Sequence, residues 1–288
     1  MTGEDFLAVM AARSRERAAS ARARVPEPDL RARLSDVPVA PPLKLSVEGF
    51  DLIAEMKLRS PAAGLLRSAA RDDLEVRVCS YAEAGAAAVS VLTESTRFDG
   101  ALEHLERAAR ALLPLQVPAM RKDFLVDTYQ LLEARAAGAG GVLLIVRMLE
   151  KEILAEMLDS ALDLGLFVLL ETFDERDVDT ALALLEPHRA DLGDSVLLGV
   201  NCRDLVSLQV VPGRLESLVS ILPSWLPRVA ESGLASADDA ARLATAGYDA
   251  ALVGSALMSG DSPRELAAAM LRAGRAAHGG RTPRRTAR

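Results

Sequence analysis

Eight short apolar runs alternate with eight stretches of helical period between residues 51 and 274. This alternation predicts an α/β fold, a (β/α)8 TIM barrel with an N-terminal helical extension. Two further observations favour closure over an open, doubly wound sheet. The runs are almost continuously apolar, as strands of a parallel sheet covered on both faces must be. The chain also has no glycine fingerprint of a dinucleotide-binding sheet. At 288 residues, half of them hydrophobic, it is long enough for one large domain.

In chain order, residues 1–50 read as the helical extension. An apolar patch from Phe6 to Met10 leads into Arg-rich turns as far as Arg24. Pro26 and Pro28 interrupt the pattern, and a second short stretch from Asp29 to Leu34 precedes a proline-rich loop ending at Pro42. The barrel is expected over 51–274, with strands at 52–56, 88–93, 117–122, 141–146, 167–171, 196–201, 228–232 and 250–255. Helices are expected at 72–84, 101–112, 127–137, 151–164, 175–186, 214–222, 237–246 and 264–273. Gly85, Gly138, Gly165 and Gly247 each follow a helical stretch, where a left-handed residue ends the helix most easily. Asp127, Asp174 and Ser236 stand at N-cap positions. Residues 275–288 read as a disordered basic tail.

Composition narrows the function. A net charge of −7 argues against nucleic-acid binding. No apolar run is long enough for a membrane span, and no signal-peptide pattern opens the chain, so a cytoplasmic protein is expected. Cys79 and Cys202 are far apart and unpatterned, as in a reducing compartment. His104, His188 and His278 show no metal-ligand spacing and read as helix-surface or tail residues. Their spacing thus gives no sign of a metal site.

The informative segments are the strand ends, because a barrel of this kind carries its active site at the C-terminal ends of its strands. The first strand ends with Glu55 and Lys57, two residues apart and so on one face. The third ends with Lys122, the fifth with Glu171, the sixth with Asn201 and then Arg203, and the seventh with Glu231. Burying so many charges is costly unless they neutralise one another, and clustered acids and bases are what acid–base catalysis needs. A structural ion-pair network is the plain alternative for any one of them, and it weakens as they accumulate on one rim. Ser232-Gly233 follows the seventh strand and Gly254-Ser255 the eighth, the loops where such barrels build phosphate sites. Glycine lets backbone N–H groups approach phosphate oxygens, and serine adds a hydroxyl. Ser60, after the first strand, is a further donor.

These segments together resemble the indole-3-glycerol phosphate synthase family of tryptophan biosynthesis. The resemblance is carried, in order, by Ile53-Ala54-Glu55-Met56-Lys57 with Ser60-Pro61, by Arg121-Lys122-Asp123-Phe124 and by Leu170-Glu171. It continues through Gly199-Val200-Asn201-Cys202-Arg203-Asp204-Leu205, Ala230-Glu231-Ser232-Gly233 and Val253-Gly254-Ser255-Ala256-Leu257-Met258. It implies a lyase that closes the ring of 1-(2-carboxyphenylamino)-1-deoxyribulose 5-phosphate with loss of CO₂ and water, without a cofactor. It implies catalytic roles for Lys122, Glu171, Glu55, Lys57 and Asn201, with Lys122 as the acid for ring closure. Arg203, Glu231, Phe98 and Phe124 would bind the substrate, and Ser60, Ser232, Gly233, Gly254 and Ser255 its phosphate.

The chain departs from the family pattern in two loops. After Pro61, Ala62-Ala63-Gly64 replaces the Ser-Lys-Gly of many members, with Arg59 and Arg67 as candidates to restore the charge. After Phe98, Asp99-Gly100-Ala101 lacks the usual serine. Two alternatives therefore stand beside the synthase: a diverged lyase acting on a ring-substituted anthranilate adduct, and a non-catalytic barrel that binds a pathway partner. A monomer or weak homodimer, with a contact to another pathway enzyme, completes the expectation.

Overall fold

The computed structural model describes residues 6–60, 64–66, 73–205, 207–260 and 262–278. Eight parallel strands close into a barrel: β1 (Asp51–Met56), β2 (Ala88–Leu92), β3 (Ala119–Lys122), β4 (Gly141–Ile145), β5 (Phe167–Thr172), β6 (Val196–Asn201), β7 (Arg228–Glu231) and β8 (Ala250–Val253). Pairing of Ile53 with Leu252 and of Glu55 with Ser90 joins β1 to both neighbours and completes the ring. The TIM barrel and its N-terminal helical extension are thus as the sequence implies.

The extension consists of α1 (Phe6–Arg24) and α2 (Glu27–Arg33). The outer ring is α3 (Leu74–Glu83), α4 (Leu102–Leu112), α5 (Thr128–Ala136), α6 (Lys151–Asp163), α7 (Glu175–Leu185), α8 (Arg214–Leu218), α9 (Ala237–Ala246), the short α10 (Ser255–Ser259) and α11 (Pro263–His278). No helix of the described residues is long and apolar enough to cross a membrane.

Local chemistry sets the element ends. Asp127, Asp174 and Ser236 accept hydrogen bonds from the first-turn N–H groups of Tyr129, Asp177 and Asp239, and the Asp239 carboxylate accepts one from the Ser236 N–H to make a capping box. Strand β7 stops one residue earlier than expected because Ser232 turns to φ +69°. Strand β8 stops at Val253 because Gly254 begins α10, a turn the sequence pattern did not separate from the strand. A two-residue hairpin, Arg59–Ser60 against Gly64–Leu65, was also not foreseen; it is too short for a periodic signal. Helix α11 runs past 274 to His278, whose ring is buried against Gly49, so this histidine is neither a surface nor a tail residue. Residues 279–288 lie outside the described residues.

Strand alternation sorts the core into two regions. Leu52, Ala54 and Met56 of β1 face the helices, together with Val89, Val91, Leu144 and Val200 of other strands. Ile53, Met120, Leu143, Leu169, Leu197, Val229 and Leu252 fill the lumen. Strand tilt staggers neighbouring strands by about one residue, so residues of alternate strands share a level. Following the pairing round the ring on that basis sets Ile53, Met120, Leu169 and Val229 at one level. The next level from the same four strands is Glu55, Lys122, Glu171 and Glu231. An apolar plug is therefore topped by a layer of ionisable groups.

Helix α1 lies against the C-terminal mouth of the barrel. Its Leu7 and Met10 join the lumen cluster. Ser14 accepts a hydrogen bond from Gln130 at 2.9 Å, Arg17 pairs with Asp123 at 2.7 Å, and Arg22 grips both oxygens of Asp127. These partners sit on the loop between β3 and α5 and on the first turn of α5. In α2, Leu30 packs on Tyr129 and Leu132, and the Tyr129 hydroxyl donates to Val25.

At the opposite pole, Gly274 of α11 packs directly on the ring of fully buried Phe50, where a Cβ would collide. Gly→Ala within a helix ordinarily stabilises by about 1 kcal/mol, whereas overpacking a core costs about 1–3 kcal/mol. Gly274→Ala is expected to lower the urea unfolding midpoint; an unchanged or raised midpoint refutes the close packing.

Candidate active site

The charged layer forms the floor of a cavity of about 430 Å³ at the C-terminal mouth, within the usual size range of small-molecule sites. Every site residue singled out in the sequence lines it: Glu55, Lys57, Ser60, Phe98, Lys122, Phe124, Glu171, Asn201, Arg203, Glu231, Ser232, Gly233, Gly254 and Ser255. Cys202, by contrast, belongs to the cluster facing the helices.

Lys122 is the hub. Its Nζ lies 3.2 Å from Glu171, 3.2 Å from Glu231 and 4.0 Å from Glu55. Glu55 also binds the Lys57 ammonium directly. Asn201 extends the network: its Nδ2 donates to the other oxygen of Glu171 at 3.2 Å, and its Oδ1 accepts from the Arg203 N–H at 2.9 Å. The Arg203 guanidinium is tied to the carbonyl of Leu208 at 2.7 Å. Arg214 donates to the main-chain carbonyl of Asn201 at 3.2 Å and steadies the end of β6.

The environment splits the protonation behaviour of these groups. Burial acts against the Glu55 carboxylate, but Lys57 and Lys122 outweigh it and hold its pKa below the ordinary value. Burial likewise acts against the Lys122 ammonium, and the charges of Glu171, Glu231 and Glu55 outweigh it and raise its pKa. Glu231 is pushed the other way. Burial carries its pKa up to about 8 against the pull of Lys122, and the charge of Glu171 adds to the rise. Among these groups, Glu55 is held as a carboxylate, whereas Glu231 is pushed toward keeping its proton near neutral pH.

Two glycines make room for this arrangement. A Cβ at Gly199 would collide with the Glu231 carboxyl, and a Cβ at Gly254 would collide with Glu55 and crowd Lys57. The sequence assigns Gly254 only to the phosphate corner and Gly199 to no site role; the parity of Gly199 with Asn201, two residues on and so on the same face, is the signal that points to it.

The rest of the cavity divides into an apolar wall and a donor-rich corner. Phe124 lies between Phe98, 6.2 Å away, and Phe6, 5.8 Å away and edge-on. Leu143 and Ile145 continue this wall. Phe6 could not be assigned from sequence, because nothing in the pattern of a separate helix says which strand ends it covers. Across the cavity, Ser232 and Gly233 have φ of 69° and 77°. At this turn, glycine at 233 lets backbone N–H groups approach an anion, and Ser232 adds a hydroxyl donor. Gly254 and Ser255 open α10 beside them, and Ser60 is buried in the same cavity.

Of the departing loops, Arg59 is occupied by Asp99 at 2.8 Å, and its N–H reaches the Phe98 carbonyl. A Cβ at Gly100 would strike the main chain of Leu92 and Thr93, so this loop requires glycine there. Ala62, Ala63 and Arg67 lie outside the described residues. Among the described residues no group of three His, Cys, Asp or Glu side chains has an arrangement that would hold a metal ion; the three glutamates converge on an ammonium instead.

Comparison with known proteins agrees with this geometry. Two solved barrels share the fold: thiamine phosphate pyrophosphorylase from Pyrococcus furiosus (TM-score 0.55, 18% identity, covering 81% of this chain and 98% of that one) and 3-hexulose-6-phosphate synthase from Salmonella typhimurium (TM-score 0.59, 14%, covering 79% and 100%). At such identities the likeness concerns the fold alone. Sequence relatives are nearer. Indole-3-glycerol phosphate synthase of a Nocardioides species is 43% identical over 237 residues, covering 82% of this chain and 86% of the relative. The Streptomyces griseus protein of that name is 38% identical over 258 residues, covering 89% and 91%. The Mycobacterium tuberculosis protein is 40% identical over 226 residues, covering 78% of each. The family model described as indole-3-glycerol phosphate synthase matches residues 7–270, and the chain belongs to that family.

Proposed function

We propose that the protein closes the indole ring of 1-(2-carboxyphenylamino)-1-deoxyribulose 5-phosphate, releasing CO₂ and water to give indole-3-glycerol phosphate. The observation that carries this reading is the layer in which Lys122 meets Glu55, Glu171 and Glu231, set between an aromatic wall and a corner of N–H and hydroxyl donors. The substrate has matching parts: an anthranilate ring, a reacting centre and a phosphate. Free Cys79 and Cys202 support a reducing, cytoplasmic setting.

The phosphate would enter the corner of Ser60, Ser232, Gly233, Gly254 and Ser255, and the ring would lie against Phe98 and Phe124. Arg203, with Glu231 below it, would orient the sugar chain. These contacts hold the ketone carbon near the ring carbon that bears the carboxylate, which supplies the proximity part of catalysis. As the new carbon–carbon bond forms, the ketone oxygen gains charge and takes a proton from Lys122. The surrounding glutamates keep Lys122 charged and hold it in place near that oxygen. Loss of CO₂ then returns its bonding electrons to the ring and restores aromaticity, with Lys57 holding the departing carboxylate until that step. In the last step the hydroxyl leaves as water with a proton from an acid, while a base removes the proton from the adjacent ring carbon. Glu171, held by Asn201, and the Glu55–Lys57 pair supply these groups.

Three measurements test the reading. Purified protein given the unsubstituted adduct should generate indole fluorescence; none at high enzyme concentration sinks the proposal. Lys122→Ala should lower kcat by about 10²–10⁴-fold while a substrate analogue still binds, and unchanged turnover removes Lys122 as the acid.

The third concerns pH. Glu231 holds its proton more tightly in the fold than in the unfolded chain, where an ordinary carboxyl titrates near 4.5. Its contribution to stability is therefore complete below about that pH and is lost as pH rises toward 8. Between pH 5 and 8 the wild type should lose stability relative to Glu231→Gln in urea titrations. Parallel curves across that window contradict the raised pKa.

A further inference from the structure

We propose that Arg13 of α1 and Arg97 of the loop after β2 form a cationic lip that draws a multiply anionic substrate to the cavity; this rests on the function proposed above. The need for such a lip follows from the charge balance. The molecule carries −7 overall. The charged residues lining the cavity are Lys57, Lys122 and Arg203 against Glu55, Asp123, Glu171 and Glu231. They are engaged with one another or with the main chain, and together they offer no surplus positive charge. A small molecule bearing a phosphate and a carboxylate would approach such a protein against its field unless the rim supplied a local attraction.

Most arginines around this mouth are already neutralised. Arg17 pairs with Asp123 and lies 3.4 Å from Glu94, Arg22 pairs with Asp127, and Arg59 pairs with Asp99. Arg13 and Arg97 differ: both are exposed, and neither has a carboxylate partner among the described residues. Their anchor points are nevertheless rigid. Buried Glu94 accepts from the Thr96 N–H at 2.9 Å, the Thr96 hydroxyl at 2.6 Å and the Arg97 N–H at 2.7 Å, which folds the loop tightly. Arg13 reaches across to that same Thr96 hydroxyl at 3.2 Å. Phe98 follows Arg97 into the cavity wall, and Phe6, two helical turns before Arg13, enters the same wall. Arg13, through its bond to Thr96, and Arg97, next to Phe98, therefore both stand at the loop that leads into the aromatic side of the opening.

Exposed charges act over about 8–10 Å at ordinary ionic strength, so the lip acts on capture and not on the chemical step. The test compares wild type with the double variant Arg13→Gln/Arg97→Gln, full-length, at about 20 and 200 mM NaCl. Wild-type kcat/KM for the plain adduct should fall about threefold or more with salt. The variant should start lower by a similar factor and respond weakly to salt, with kcat unchanged. Calorimetric affinity for inorganic phosphate at the same two salt concentrations should show the same contrast without turnover. A variant with the wild-type salt response in both measurements overturns the lip. So does a variant whose loss is confined to a lower Tm, which would assign Arg13 only a structural bond to Thr96. Absence of turnover by the wild type would count against the proposed reaction, whereas the phosphate titration would still decide the lip.

Discussion

The structure depends on one ammonium. Lys122 lies inside a ring of three glutamates that an eight-stranded barrel brings to a single level, and each would be costly to bury alone. Removing the ammonium would leave three acids in a low-dielectric lumen; removing the acids would strand a buried cation. Mutual neutralisation is the condition on which the barrel mouth can stay ordered while carrying reactive groups. It also separates the acids. Glu55, beside two ammoniums, is held as a carboxylate, whereas Glu231, buried with only Lys122 to oppose the cost, tends to keep its proton. Unequal environments of this kind allow one site to offer both an acid and a base.

Shape follows from the same layer. Carboxylates in the lumen need space that a packed barrel does not ordinarily leave, and Gly199 and Gly254 provide it by lacking side chains where Glu231 and Glu55 must lie. Below, Ile53, Met120, Leu169 and Val229 close the lumen as an apolar plug. The charged groups are therefore accessible only from the C-terminal mouth. There the aromatic wall and the Ser232–Gly233 turn face each other across the cavity, so the fold imposes polarity on whatever enters.

Helix α1 is part of this mouth and not an appendage. Ser14, Arg17 and Arg22 bind Gln130, Asp123 and Asp127, all on the segment that follows Lys122. Asp123 also accepts from the Thr93 hydroxyl at 2.7 Å and from the Phe124 N–H at 2.8 Å. The extension thus holds the residues flanking the proposed acid from outside the barrel while sending Phe6 into the cavity. Satisfied buried networks of this kind add rigidity as well as stability.

Much of this was legible in the chain. Period-two alternation put Glu55 and Lys57 on one face, and the position of Glu55, Lys122, Glu171, Asn201 and Glu231 at strand ends placed them at one mouth. Caps such as Asp127 and Ser236 announced themselves by residue type, because their chemistry is satisfied within a few residues. Elements whose logic is local or strictly periodic are determined by the sequence alone, and the barrel with its list of inward polar strand ends belongs to that class. Only the tertiary structure decided which of those polar groups meet and what covers them. The stagger of the strands brought four charges to one level. The docking of α1 brought Phe6 to Phe124, and the fit of Glu231 over Gly199 turned a glycine into part of the site. The reason is physical: these contacts join residues distant in the chain, and their geometry depends on strand stagger and helix docking, which residue spacing alone does not specify.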